Sequence, residues 1–256
     1  MTSRDMQIAF IRQISAIDPR LEQPDLPDSD TIFYFINLAQ DRYLKQTYLS
    51  KTTVKDNIEN IQKHIDDLKQ LITRASMFQD IINVSEPTNP ITPSSPYSAQ
   101  IKSSADGAMI LPLPSNYLYY VRSTSKLSGT YLSLSGKTYF NNKVVDHLDI
   151  NNSILTNGFN TPIIRTPVVV LETAPPSTSS SPSYLKLYLD SYSNLFNIEI
   201  TYLRQPKKIV LVVTDSTTQV STCELTASTH TELITYASSM FIEEYKYKLA
   251  TKQPGK

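Results

Sequence analysis

The segment that decides the fold of this chain is its last amphipathic stretch, CELTASTHTELITYASSMFIEEYKYKL, at residues 223–249. Within it, Thr229 and Glu232 fit the T-x-x-E capping box, in which each side chain bonds the backbone N–H of the other. The apolar residues that follow recur at helical spacing on one face: Ile234, Ala237 and Phe241. Because an amphipathic helix must bury its apolar face, this helix is expected to pack back against helices at the start of the chain.

Two helices are predicted in the first 50 residues. The first is marked by apolar residues at helical spacing: Met6, Phe10, Ile14 and Ile17. Pro19 is expected to end it. The second should start with Asp28 or Ser29 as its cap and run to about Tyr48. Its broad apolar face contains Ile32, Phe33, Ile36, Ala39, Tyr43 and Leu44.

A long third helix is predicted from the clearest apolar pattern in the chain. The apolar residues step by three and four positions, and almost everything between them is polar. Such a narrow seam at heptad spacing suits a helix that lies along one or two partners. The seam consists of Val54, Ile58, Ile61, Ile65, Leu68, Ile72 and Ala75.

The pattern changes to short strands after a proline-rich stretch, SEPTNPITPSSPYS, at residues 85–98. In YLKLYLDSY, three leucines from Leu185 onward alternate with tyrosine and charged residues, which is typical of a half-buried strand. The run NIEITYLRQPKKIVLVV breaks at Gln205 and Pro206, where a turn between two strands of a hairpin is expected.

Together these patterns predict an α+β fold. A helical bundle of the three N-terminal helices and the C-terminal helix would carry an inserted antiparallel β domain. The predicted division is 1–84 for the N-terminal helices, 85–98 for the linker, 99–222 for the β domain, 223–250 for the returning helix and 251–256 for a polar tail.

Composition argues against several functional classes. Lys and Arg together number 24, as do Asp and Glu, so no net field draws the chain to nucleic acid or to an anionic membrane. The sequence contains no run of about 18 apolar residues, so no membrane-spanning helix is predicted. The start of the sequence is charged and amphipathic and does not match the pattern of a secretory signal. Only 5 glycines leave few places for loops that cradle phosphate. A single cysteine excludes an internal disulfide.

No catalytic, metal or cofactor site is predicted, and the chain is expected not to be an enzyme. Cys223 and His230 are seven residues apart and could form a dyad, but no motif surrounds them, and lone cysteines are mostly buried hydrophobic residues. His230 is expected to be exposed in the first helical turn. His64, His147 and His230 are isolated from one another and from other ligands at metal-binding spacing. Tyrosines in NYLYYVRS and YLKLYLDSY leave a glycan-binding β module open as an alternative function.

Two stretches together resemble a known family. ITYLRQPKKIVL, followed by CELTASTHTELITYASSMFIEEYKYKL, resembles the C-terminal signature of virion proteins of crAss-like bacteriophages that infect gut Bacteroidales. The opening, MTSRDMQIAFIRQISAIDPRLEQPDLPDSDTIFYFINLAQDRYLKQTYL, is similar to the start of those proteins. MILPLPSNYLYYVRS and NNSILTNGF in the middle match more loosely.

The resemblance implies a structural protein of the virion neck or tail, made in the host bacterial cytoplasm. It would form a homo-oligomeric ring of about twelve copies, a head-to-tail adaptor below the portal, with heterologous contacts between subunits. Its partners would be the portal, neighbouring neck or tail proteins, and genomic DNA that passes through the channel without sequence-specific binding. No membrane partner is expected. Candidate assembly contacts are the seam residues Val54, Ile58, Ile61, Ile65, Leu68 and Ile72, the helix residues Ile234, Ala237 and Phe241, and the strand tyrosines Tyr184 and Tyr188.

Overall fold

The described part of the chain contains helices and sheets in two compact units. The computed structural model describes residues 1–18, 27–50, 66–77, 102–103, 108–129, 134–146, 166–172, 183–189, 193–214 and 217–252. Unit 1 comprises Met1–Leu71 and Pro206–Lys256, and unit 2 comprises Ile72–Gln205. The mixed α+β class is therefore confirmed.

Helix α1 spans Ser3–Ile17 and begins with a capping box that the sequence reasoning missed. The Thr2 hydroxyl accepts a hydrogen bond from the N–H of Asp5, and the Asp5 carboxylate accepts one from the N–H of Thr2. These bonds to Thr2 lower the pKa of Asp5. Met6, Phe10 and Ile14 are fully buried, as their spacing predicts, whereas Ile17 at the end of the helix is exposed.

Helix α2 spans Ser29–Ser50, close to the predicted bounds. The Asp28 carboxylate accepts a hydrogen bond from the N–H of Thr31 at 3.0 Å, so Asp28 caps the helix. The predicted apolar face is confirmed, because all six of its residues are buried: Ile32, Phe33, Ile36, Ala39, Tyr43 and Leu44.

Helix α3 spans His230–Lys252 and follows a 3₁₀ turn at Ala227–Thr229. Thr229 does not occupy an N-cap position: its hydroxyl donates to the carbonyl of Thr226 at 2.9 Å, and its N–H donates to the same carbonyl. The predicted box of Thr229 with Glu232 is thus replaced by a tighter turn that starts at Thr226. Such 3₁₀ turns are common at helix ends, and they satisfy backbone groups without a side-chain cap.

The predicted third helix is wrong beyond Leu71. Residues 66–68 are helical, Lys69–Leu71 form a 3₁₀ turn, and strand β1 occupies Ile72–Ser76. Strand β1 pairs with a strand more than a hundred residues later in the chain, and this pairing overrides the local heptad pattern. Val54, Ile58, Ile61 and Ile65, like the linker at 85–98, lie outside the described residues.

Eleven strands lie in the described residues: β1 Ile72–Ser76, β2 Lys102–Ser103, β3 Met109–Pro112, β4 Tyr117–Gly129, β5 Leu134–Asn141, β6 Lys143–Val144, β7 Val168–Glu172, β8 Tyr184–Tyr188, β9 Ser193–Arg204, β10 Val210–Thr214 and β11 Thr217–Ser221. They form a four-stranded sheet in the order β1-β9-β4-β5, a five-stranded sheet in the order β2-β3-β8-β7-β6, and the hairpin β10-β11. All pairs are antiparallel except the parallel pair β6-β7.

The hairpin predicted around Gln205 and Pro206 is wrong. Strand β9 pairs with β1 and β4 in unit 2, while β10 pairs with β11 in unit 1. The proline instead marks the boundary between the two units.

The core of unit 2 is shared between its two larger sheets. One hydrophobic cluster joins Leu127, Ile198 and Ile200 of the four-stranded sheet to Leu185 and Leu187 of the five-stranded sheet. Burial of these leucines confirms the alternation that predicted strand β8. A second cluster includes Val168 and Val170 of strand β7 and Tyr188 of strand β8, so the sheet is buried on both faces around these three residues.

Candidate functional site

An aromatic cluster joins helices α1, α2 and α3 of unit 1. Phe241 of α3 lies edge-on to Phe10 of α1, with ring centroids 5.8 Å apart, and edge-on to Phe35 of α2 at 5.4 Å. Edge-to-face pairs of this kind contribute about 0.5–1.5 kcal/mol each beyond burial of their area. The cluster therefore ties the last helix of the chain to the first two.

A cavity of about 330 Å³ opens between α2 and α3 beside this cluster. Phe35 and Phe241 are its two buried rings. Tyr245 stacks on Phe241 at 6.1 Å, and Tyr34 lies edge-on to Phe35 at 5.3 Å. Tyr34 is 62% exposed. The remaining lining residues are Asp30, Thr31 and Glu244. The cavity, here named the α2–α3 pocket, thus combines four aromatic rings with two carboxylates.

Exposed apolar side chains lie on each of the helices α1, α2 and α3. Leu38, one helical turn after Tyr34 on α2, is 38% exposed. Ile8 and Ile17 are exposed on α1, and Tyr236 is exposed on α3. Single exposed apolar residues are ordinary on a protein surface. Tyr34 and Leu38 differ in that they sit at the spacing that places them on the same helix face, beside the pocket.

A buried carboxylate joins three segments of unit 1. Asp67 is 2% exposed and accepts a hydrogen bond at Oδ2 from the hydroxyl of Tyr43, at 2.7 Å. The hydroxyls of Thr226 and Ser228 donate to its Oδ1 at 3.1 and 3.4 Å. Burial is the main cause that raises the pKa of Tyr43, and the hydrogen bond to Asp67 raises it further. The hydrogen bonds of Asp67 thus hold residues 66–71 and residues 226–228 against helix α2.

Helix α2 also holds the segment that leads from unit 2 back into unit 1. The Asn37 side chain accepts a hydrogen bond from the N–H of Ile209 at 2.8 Å and donates one to its carbonyl at 3.0 Å. Gln40 donates to the carbonyl of Lys207, whose N–H donates to Glu224. The side-chain amide of Asn37 therefore satisfies both the N–H and the carbonyl of Ile209, as the backbone of a neighbouring strand would do.

Cys223 and His230 do not form the dyad that their spacing allowed. Cys223 is buried and its thiol donates to the Oε1 of Gln40 at 3.6 Å, while burial raises its pKa. His230 is 4% exposed, which corrects the expectation of an exposed residue. Its Nε2 lies 3.1 Å from the carbonyl of Leu225 and its Nδ1 lies 3.1 Å from the amino group of Met1. Both ring nitrogens thus hold unit 1 together, and a raised thiol pKa is the opposite of what activates a cysteine nucleophile.

The other predicted assembly contacts are located as follows. Leu68, Ile234, Ala237 and Phe241 are buried within unit 1, whereas Ile72 lies on strand β1 and is 37% exposed. Tyr188 is buried in the second cluster of unit 2. Their role in assembly stays a prediction. The hydrogen-bond clusters around Asp67 and Asn37 join residues that are distant in the chain, so no short-range sequence pattern could have revealed them.

Tyr184 lies in a polar triad on the five-stranded sheet. Its hydroxyl donates to Oε2 of Glu172, the residue directly opposite on β7, and the ammonium of Lys186 lies 2.8 Å from Oε1 of the same carboxylate. The hydrogen bond to Glu172 raises the pKa of Tyr184 to about 12. With Tyr184 held by Glu172 and Tyr188 buried, these two tyrosines do not form an open stacking platform.

No metal site or membrane span is found in the described ranges. They contain no group of three or more His, Cys, Asp or Glu side chains that could hold a metal ion. His64 and His147 lie outside these ranges. None of the helices in the described part of the chain is long and apolar enough to cross a membrane. No protein-family model matches the sequence, and no curated protein matches it significantly.

Proposed function

We propose that this chain is a structural virion protein that forms a ring in the neck or tail of a bacteriophage, as a head-to-tail adaptor below the portal. The observation that carries the proposal is the meeting of the two terminal segments that resemble such proteins. Both segments contribute to unit 1, where Phe241 of α3 contacts Phe10 of α1 and Phe35 of α2.

In this proposal, unit 1 is the helical bundle and Ile72–Gln205 is the inserted β domain. The chain leaves unit 1 at Leu71 and re-enters it at Pro206, which is the connectivity an insertion requires. The hydrogen bonds of Asn37 to Ile209 support it further, because they anchor the re-entering strand segment on α2.

Ring contacts would come from the exposed apolar residues of unit 1. A closed cyclic ring needs two different faces on each subunit, one for each neighbour. Ile8 on α1, Leu38 on α2 and Tyr236 on α3 are exposed and offer apolar surface on three separate helices. The balanced charge of 24 basic and 24 acidic residues suits a channel through which DNA slides without being held.

The experiment measures the oligomeric state of the purified chain, alone and mixed with the portal protein of the same phage, by light scattering coupled to size exclusion. Electron microscopy of virions then locates the chain. A ring of about twelve copies in the neck or tail is expected. A chain that stayed monomeric with portal and was absent from virions would refute the proposal.

Three variants identify the ring contacts: Ile8→Glu, Leu38→Glu and Tyr236→Glu. At least one should leave the chain folded, by circular dichroism, and monomeric, because a buried unpaired carboxylate opposes association. Gln46→Glu, at an exposed polar position of α2, is the matched control and should assemble normally. Normal assembly of all three variants would place the ring contacts elsewhere.

A further inference from the structure

We propose that the α2–α3 pocket binds an arginine side chain presented by a separate partner protein. The inference rests on the geometry of unit 1 and not on the proposed function. It assigns the pocket a ligand of defined chemistry, a guanidinium group flanked by polypeptide.

The rings of the pocket favour a flat cation. Arginine stacks its planar guanidinium on aromatic faces more readily than lysine places its compact ammonium there. Tyr34, Phe35, Phe241 and Tyr245 line the cavity, so a side chain that enters it is surrounded by aromatic surface. Its volume of about 330 Å³ lies at the lower end of the range for ligand pockets and is large enough to hold a guanidinium side chain.

The charge of the pocket complements a guanidinium. Of its seven lining residues, Asp30 and Glu244 are acidic and none is basic. The N-terminus of α2 could in principle attract an anion. However, the Asp28 carboxylate already accepts the N–H of Thr31, and Asp30 adds a second negative charge in the first turn. Each of the two helices thus supplies a carboxylate to the pocket, and a carboxylate attracts a guanidinium by its charge and accepts its N–H donors.

The surroundings of the pocket favour a polypeptide over a free small cation. Tyr34 lies at the edge of the pocket and is 62% exposed. Leu38, one helical turn further along α2, is also exposed and extends this apolar surface. A backbone that presents an arginine could rest on these two side chains while the guanidinium enters the pocket. Burial of aromatic and aliphatic surface around a central arginine is the usual composition of an interface anchor.

The test uses the full chain labelled with 3-fluorotyrosine, whose ¹⁹F resonances for Tyr34 and Tyr245 are assigned with Tyr34→Phe and Tyr245→Phe variants. The probes are the peptide acetyl-Gly-Ser-Arg-Ser-Gly-amide and its citrulline analogue, which keeps the shape and loses the charge. The arginine peptide should shift both resonances saturably, with a dissociation constant on the order of 1 mM, and bind about tenfold tighter than the citrulline peptide. A higher salt concentration should weaken binding of the arginine peptide, because salt screens the attraction between charges.

Variants identify the carboxylates. The pair Asp30→Asn with Glu244→Gln should reduce arginine binding to the citrulline level. The pair Asp41→Asn with Glu243→Gln, at exposed acidic positions on the same two helices that do not line the pocket, should leave binding unchanged.

Four results would overturn the proposal. The first three are equal binding of both peptides, no saturable shift up to about 20 mM peptide, and an equal loss in the control pair. Self-association of the chain that depends on Asp30, without peptide binding, would identify a second copy as the occupant and also overturn it. Because the assay uses the isolated chain, its failure leaves the ring proposal standing, and ring failure leaves this one standing.

Discussion

Replacement of Asp67 by alanine removes the carboxylate on which three segments of unit 1 converge. Tyr43 donates to it at 2.7 Å in a buried site, a hydrogen bond to a charged group that contributes about 1.5–3 kcal/mol. The longer bonds from Thr226 and Ser228 contribute less, about 0.5 kcal/mol each, since these two hydroxyls also bond each other. Their sum predicts that Asp67→Ala lowers the free energy of unfolding by about 3 kcal/mol.

Urea unfolding, followed by circular dichroism at 222 nm, measures this loss, because the three long helices of the described chain all lie in unit 1. Tyr43→Phe removes only the hydroxyl and should cost about 1.5 kcal/mol. Because both changes remove the same bond, the double variant should cost about 1–1.5 kcal/mol less than the sum of the single costs. Gln70→Ala, an exposed neighbour of the same turn, is the control and should cost under about 0.5 kcal/mol.

A loss below about 1 kcal/mol for Asp67→Ala, or strict additivity with Tyr43→Phe, would refute the reasoning. Either result would mean that the carboxylate is as well satisfied by water in the unfolded chain as by Tyr43 in the folded one. A control variant that lost as much stability as Asp67→Ala would mean that the turn is sensitive to any substitution.

Three further predictions concern single titratable groups. Burial, together with the nearby amino group of Met1, lowers the pKa of His230, so the neutral imidazole stabilises the fold fully above about pH 6.5 and this stability is lost as pH falls below that value. In urea titrations between pH 7 and 5, the wild type should therefore lose more stability than His230→Gln, and the two losses should differ by up to about 1.4 kcal/mol per pH unit. The pKa of Tyr184 is raised to about 12, so the bond to Glu172 stabilises the fold fully below about pH 10 and this stability is lost as pH rises towards 12. The stability difference between wild type and Tyr184→Phe should therefore shrink between about pH 10 and 12, and a constant difference would contradict this. Cys223 is buried and its pKa is raised, so iodoacetamide should label it at least about ten times more slowly in the native state than in urea. Native-state labelling as fast as that of a free thiol would support a reactive cysteine and contradict this prediction.

The local spacing of apolar residues was sufficient to predict helices α1, α2 and α3 of unit 1. The apolar faces of α1, α2 and α3 were predicted from helical spacing, and Met6, Phe33 and Ala237 are buried as expected, whereas Ile17 at the end of α1 is exposed. These faces follow from a helical repeat that a few neighbouring residues define. The alternation of Leu185 and Leu187 predicted a strand for the same reason.

Residues 68–76 show where periodicity fails. Leu68, Ile72 and Ala75 continue a heptad pattern, yet Ile72 pairs with Leu203 and Ser76 with Glu199 in the strand pair β1-β9. A strand and a helix can share apolar residues at the same spacing over so short a stretch. The choice depends on a partner strand far along the chain, which no local window contains.

The sequence by itself determined the α+β class, the three long helices and their buried faces, since each depends on residues within a few turns of one another. The tertiary structure alone decided that Asp67 would join Tyr43 to Thr226, that His230 would be buried against Met1, and that Asp30 and Glu244 would share one pocket. Each of these contacts joins residues that are distant in the chain. Their chemistry appears only when the helices pack, because burial and proximity, which set hydrogen bonds and pKa values, are properties of the folded chain.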